Sequence, residues 1–211
     1  MILPNHTPSR QPSPDLPLPA GIGPGLARAR AHEICGPSRL AWALLLAAQT
    51  EGPVIWILPS WLPERPHACG IAGYLHPGRL IFAQARRPED LQWAAEEALR
   101  SGAAPLVLVE MPRPPGLTAV RRMHLAAQAG AEAAHHAGLG PAPLALILCP
   151  GDGGAQGAES RWHIRPSPTP SSLTDETGPA WHLERRRDRR APVAAWSLTR
   201  SPTGRLTAQP A

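Results

Sequence analysis

The sequence predicts an α/β domain whose sheet is mostly parallel, flanked by helices and extended by antiparallel strands near its C-terminus. Three observations predict it. Short, wholly apolar runs of strand length (Val54–Leu58, Leu106–Val109, Leu144–Cys149) suit strands covered on both faces, as in a parallel sheet. Segments of helical period alternate with these runs, which is the pattern of βαβ units. After about residue 158 the strand-like segments follow one another without helices between them, which implies antiparallel pairing.

Residues 1–25 hold many of the chain's 28 prolines and are expected to form an arm without regular structure. The domain proper is expected over 26–200, with a disordered tail over 201–211. The first strand candidate is His32–Cys35, ended by Gly36-Pro37. Ser38 is placed to cap a helix from Arg39 to about Thr50, apolar almost all round and therefore buried. Gly52-Pro53 ends it, Val54–Leu58 follows, and residues 59–78 read as irregular. Arg79–Ala83 is the next strand. Pro88, Glu89 and Asp90 then open the clearest helix, since a proline and two acids suit a first turn, and Gly102 closes it. Pro105–Glu110 is a strand with an acid at its end. Thr118 is the expected cap of a long alanine-rich helix ending at Gly138, and Leu144–Cys149 is a buried strand. Pro150–Gly157 reads as a flexible loop. Arg161–Arg165, Trp181–Arg187 and Ala194–Leu198 are short strands, and 166–179 is a solvated loop.

Composition removes several chemistries. All 21 basic residues are arginine, so neither a Schiff base nor a phosphate-loop lysine is available. The formal charge of +5 and a pI near 10.3 fit nucleic acid or an acidic partner, and equally a GC-rich codon bias. Cys35, Cys69 and Cys149 lack metal or redox spacing, and Cys35 and Cys149 lie in apolar runs. No apolar run reaches membrane-spanning length and no secretory leader is visible, so a cytoplasmic protein is expected, with neither metal nor cofactor. His135-His136 are adjacent on a helix and point apart, a poor metal geometry.

A strand, a Gly-Pro turn and a buried helix call for comparison with the phosphate loop G-x-x-x-x-G-K-[ST]. From Gly36 the chain reads Gly36-Pro37-Ser38-Arg39-Leu40-Ala41-Trp42-Ala43. Trp42 stands in the lysine position, and is expected to remove the charge and fill the phosphate site, so hydrolysis by this loop is not expected. The run Arg185, Arg186, Arg187, Arg189, Arg190 has two readings: a surface contacting phosphate or an acidic partner, or a charged strand edge that discourages aggregation. Arg161 and Arg165 belong with it. The Gly151–Gly157 loop is a DNA-contacting remnant or an ordinary connection. Trp162 and Trp181 are partner anchors or core. Arg121-Arg122 with His124, near a helix start, imply a carboxylate partner, Glu110 or Glu132 being the candidates.

Several blocks carry a family resemblance. His32-Glu33-Ile34-Cys35-Gly36-Pro37, Glu97–Ala103 leading into Leu106–Glu110, and Glu159–Arg165 resemble the RecA core around its phosphate loop, its Walker B strand and the exit of its second DNA-binding loop. Glu110 stands where that family usually has aspartate, and the strand ending Leu58-Pro59-Ser60 lacks the acid that activates water. Within that superfamily, Arg87–Trp93, Glu96–Gly102, Thr118 with Arg121-Arg122 and His124, Pro150–His163 and Leu183–Arg187 resemble the ImuA-type proteins of bacterial mutagenesis cassettes. The resemblance covers roughly residues 30–200. It implies a RecA-like, non-hydrolysing accessory protein of SOS-induced error-prone translesion synthesis, a scaffold for an inactive Y-family polymerase-like partner and an error-prone polymerase, nucleoid-associated on DNA damage. Direct DNA binding, and cell-division inhibition of the SulA type, are the alternatives.

Overall fold

Strand residues alternate between two apolar clusters. In the segment Leu106–Glu110 (β4), Leu106 and Leu108 enter one cluster, Val107 and Val109 the other; Leu144–Cys149 (β5) divides the same way. Both faces of the central strands are thus buried, which explains the unbroken apolar runs. The computed structural model describes residues 13–62, 66–168 and 178–211. The remaining elements are β1 (Ala31–Cys35), α1 (Arg39–Ala47), β2 (Val54–Pro59), α2 (Ala68–Ala72), β3 (Leu80–Ala85), α3 (Pro88–Ser101), α4 (Leu117–Ala137), β6 (Ser160–Ser167), β7 (Ala180–Asp188), β8 (Ala194–Arg200) and β9 (Leu206–Pro210). A 3-10 turn at Pro77–Arg79 precedes β3.

Among the described residues nine strands form one sheet in the order β3-β2-β4-β5-β1-β6-β7-β8-β9. The pairs from β3 to β6 are parallel and those from β6 to β9 antiparallel. The expected mixed α/β architecture is therefore present. The apolar residues of α1 and Ile71 of α2 join the cluster on one face; α3 and α4 cover the other. The α3/α4 face is lined by alanine and valine, so helix backbones come close. A Cβ on Gly130 of α4 would sit 1.8 Å from the Leu99 carbonyl oxygen of α3, a contact only glycine permits.

Most boundaries follow the sequence signals. Gly102 and Gly138 end α3 and α4 in the left-handed conformation (φ 65° and 63°). Four expectations need correction. Ser38 precedes α1, but its side chain makes no capping bond. The start of α4 is set by Gly116, not Thr118, because the helical turn begins directly after Pro114-Pro115. The irregular stretch 59–78 contains α2, whose N-cap His67 accepts from the Cys69 amide. The Pro150–Gly157 loop is ordered and tied down, as described below.

The termini differ from expectation too. Residues 1–12 of the anticipated arm lie outside the described residues, as do 169–177 of the anticipated loop. From residue 13 onward the arm is docked: Leu16 and Leu26 exchange backbone hydrogen bonds (2.9 and 2.8 Å), and with Ile22 they are buried. Prolines prevent a ladder but leave the side chains between them free to enter a core. Within the anticipated tail, Leu206–Pro210 is β9, paired with β8.

Candidate functional site

The carboxyl ends of β1 and β5 bring together the Gly36–Arg39 turn, the glycine-rich loop and residues His163 and Ile164 of β6. In open α/β sheets this end of the strands is where ligands bind. Here the loop is closed from within. The Gly36 amide donates to the Gly151 carbonyl (2.9 Å), that of Ser38 to Ile164 (3.2 Å) and that of Arg39 to Gly36 (3.3 Å), while Pro37 has no N–H. Gly36 has φ 92° and lies against β6: a Cβ there would meet the Ile164 oxygen at 2.3 Å and His163 Nε2 at 2.9 Å. Three amides of the turn are therefore already engaged, one with the glycine-rich loop, one with β6 and one within the turn itself.

Trp42 does not fill a phosphate position as expected. It lies one turn inside α1, fully buried in the core cluster, with its Nε1 unpartnered. What occupies the space beside Gly36 is His163, which the motif comparison missed because it comes from a strand over a hundred residues away. Arg39 and Glu110 do meet, on the walls of one cavity of about 650 Å³ that Trp42 does not line. Glu110 accepts from Trp56 Nε1 (2.9 Å).

The anchor of the glycine-rich loop is Glu33, a fully buried carboxylate in mid-strand β1. Its Oε1 accepts from the amides of Gly154 (2.7 Å) and Ala155 (2.9 Å), and its Oε2 pairs with Arg161. A buried carboxylate persists only when bonded and paired in this way. The polar pair His32-Glu33 within a core strand was the sequence signal for it. His32 is buried as well, bonded to Ser160 Oγ (2.7 Å) and the Ala27 carbonyl (2.9 Å), and burial pushes its pKa down to about 4. Beside them, Cys35 Sγ donates to the Trp162 carbonyl (3.4 Å); burial and the Glu33 carboxylate push its thiol up to about 12. Burial likewise pushes the Cys149 thiol up.

The arginine run is divided by geometry. A β-bulge sets two steps of β7, Arg185 to Arg187, against one of β6, Arg161 to Trp162. Arg185 lies on the regular side of the bulge and shares the inward parity of Trp181 and Leu183. It points into the core at 5% exposure, donates to the carbonyls of Pro192 (2.8 Å) and Ile22 (2.9 Å), and lies over the rings of Trp162 and Trp196 (5.6 and 5.0 Å). It is unavailable to a partner. Arg186 bonds Glu184 and Asp152, both at 2.8 Å. The Asp152 carboxyl is held below its ordinary range by that hydrogen bond. His163, nearly buried, has its pKa lowered by desolvation and then by Arg186; its Nδ1 stands 4.0 Å from Glu184, too far for a hydrogen bond. Arg190 pairs with Asp15 of the docked arm (2.6 Å), and Arg189 lies 3.7 Å from Glu159. Arg165 and Arg187 alone among the seven are exposed without an ion pair to any described residue. Trp162 and Trp181 are core.

The remaining candidates also find partners. Arg122 pairs with Glu96 of α3 (2.9 Å), not with Glu110 or Glu132. His124 accepts from the Ala31 amide and contacts the Gly157 carbonyl (3.1 Å), locking α4 to β1 and to the glycine-rich loop. Among the described residues no group of histidines, cysteines and acids could hold a metal, and no helix is long and apolar enough to cross a membrane.

No family model matches the chain, and no curated protein matches it. Among solved structures it is similar to SulA from Pseudomonas aeruginosa, at 19% identity over 57% of this chain and 98% of that one, with a TM-score of 0.44.

Proposed function

We propose that the chain is a non-hydrolysing accessory protein that acts by binding partners. In the translesion setting implied by its motif resemblance, it positions an inactive Y-family polymerase-like protein beside an error-prone polymerase. The observation that carries this reading is the self-satisfied loop: three amides of Gly36–Arg39 are bonded to Gly151, Ile164 and Gly36 itself, so a triphosphate would have to break those bonds to be held. Two further features support it. The carboxylate at the end of β4 is bound to an indole, and β2 ends in Pro59-Ser60 without an acid to activate water.

The test is affinity capture from DNA-damaged cells, repeated with nuclease. Capture of polymerase-related proteins that survives nuclease is the expected result. Partners that vanish with nuclease would move the reading to direct DNA binding, for which exposed Arg165 and Arg187 are the available contacts. Loss of polymers of the bacterial tubulin homologue on adding the purified protein would favour the division-inhibitor reading.

A further inference from the structure

Within the arginine run only Arg187 is exposed without an ion pair to a described residue, and further unpaired positive charge lies away from that run. A cleft of about 760 Å³ opens at the carboxyl ends of β2, β3 and β4. Its walls are Trp61 after β2, Arg86 and Pro88 at the turn into α3, and the segment Met111–Gly116 after β4. Trp61 is 43% exposed, an unusual position for a large apolar ring beside charged groups. Arg86, Arg87 and Arg113 are exposed and make no ion pair with any described residue. Arg185, Arg186 and Arg190, by contrast, are all engaged inside the chain.

We propose that this cleft is a docking site for an acidic, extended peptide segment of a partner protein. An apolar side chain would seat between Trp61 and the proline wall, with flanking carboxylates on Arg86 and Arg113. Arginine forks match carboxylates in pairs, and a tryptophan in a cleft is the residue type that most often anchors an interface. The Pro112-Arg113-Pro114-Pro115 wall is rigid, so little ordering entropy is lost when a segment binds.

Two features favour a peptide over a nucleic acid. Three prolines remove the backbone N–H groups on which phosphate contacts draw, and the Met111 amide is already bonded to Leu148. In addition, Glu89 and Asp90 begin α3 beside the cleft. A polyanion with a charge at every residue would meet them, whereas a peptide can place its few carboxylates on the arginine side. The site is independent of the translesion reading: a different partner could use it, and that reading does not require it.

The experiment is fluorescence anisotropy with the full chain and a labelled peptide carrying a Leu-Phe pair flanked on both sides by Asp and Glu. The same peptide with Asn and Gln in place of the acids, and a labelled single-stranded thymidine oligonucleotide, are measured at equal ionic strength. The acidic peptide is expected to bind, with affinity falling as salt rises. Trp61→Ala should weaken it at least about tenfold, the pair Arg86→Glu and Arg113→Glu should abolish it, and Arg187→Glu should leave it unchanged. Should Trp61→Ala lose its cooperative melt, Arg113→Glu, on the exposed loop, carries the test alone. No saturable peptide binding, binding insensitive to these variants, or oligonucleotide binding that the same variants abolish would overturn the proposal.

Discussion

Replacing Arg185 with methionine isolates the claim that the most prominent charge cluster in this chain is partly structural. The guanidinium is 5% exposed, and it donates to two carbonyls at 2.8 and 2.9 Å while lying over two indole rings. A hydrogen bond from a charged donor contributes about 1.5–3 kcal/mol, and a desolvated cation–π contact about 2 kcal/mol. Against these stands the desolvation cost of the cation, which methionine does not incur, so the full sum is not lost. The deciding quantity is the pair of carbonyls left bare, at about 1–3 kcal/mol each. A loss of about 3 kcal/mol is expected, a large share of the roughly 5–15 kcal/mol that holds a domain of this kind. One of those carbonyls belongs to Ile22, so the docked arm should loosen with it, exposing residues 13–26 to protease. The assay is urea unfolding followed by tryptophan fluorescence, with Arg187→Met as the exposed comparison, expected within about 0.5 kcal/mol of the parent. A loss below about 1 kcal/mol for Arg185→Met, or equal losses for the two variants, would refute the reasoning.

Three other perturbations have defined outcomes. Glu33→Gln keeps an acceptor for the Gly154 and Ala155 amides but faces Arg161 with an uncharged group; about 3 kcal/mol of stability should be lost and hydrogen exchange of the 150–157 loop should accelerate, whereas an unchanged exchange rate would contradict the anchoring role. His32 has a folded pKa of about 4 against 6.5 for the free side chain, so the unfolded chain takes up its proton first. Stability is therefore full above pH 6.5 and should fall by about 3 kcal/mol as pH drops to 4, a slope that His32→Asn should lack; identical pH profiles of unfolding would count against it. Gly130→Ala drives a methyl into the Leu99 carbonyl and forces α3 and α4 apart, with an expected cost of about 2–3 kcal/mol by thermal melting, and a neutral effect would show that the helices are not in such contact.

What the sequence made legible, and what it hid, follows from locality. β4 and β5 could be read because burial on both faces leaves an unbroken apolar run, and α3 because Pro88, two acids and Gly102 mark its ends chemically. The closed loop was half visible: the missing lysine could be read at Trp42, but its side chain turned into the core, and closure came from His163 and Ile164 on β6. The arginine run misled because its charge outweighed its parity: Arg185 alternates inward with Trp181 and Leu183, and the bulge beyond it takes Arg187 out of that alternation. The arm and tail were read as disordered from proline content, although Leu16, Ile22 and Leu26 had the apolar spacing to dock. The turn at Thr203-Gly204 followed by Leu206 and Ala208 likewise had the alternation of a hairpin strand. The polar pair His32-Glu33 in a core strand marks Glu33 locally, but its loop partners lie about 120 residues away, so what it binds has no local signal.

The measurement that bears most directly on the central claim is calorimetric titration of the full chain with ATP and magnesium, run alongside a phosphate-release assay on the same preparation. The closed Gly36–Arg39 loop predicts no saturable heat at millimolar nucleotide and no phosphate release above the buffer rate. Saturable binding abolished by Arg39→Ala, or turnover abolished by Glu110→Gln, would show that the loop opens to admit a triphosphate, and the account of a protein that works by binding partners alone would be contradicted.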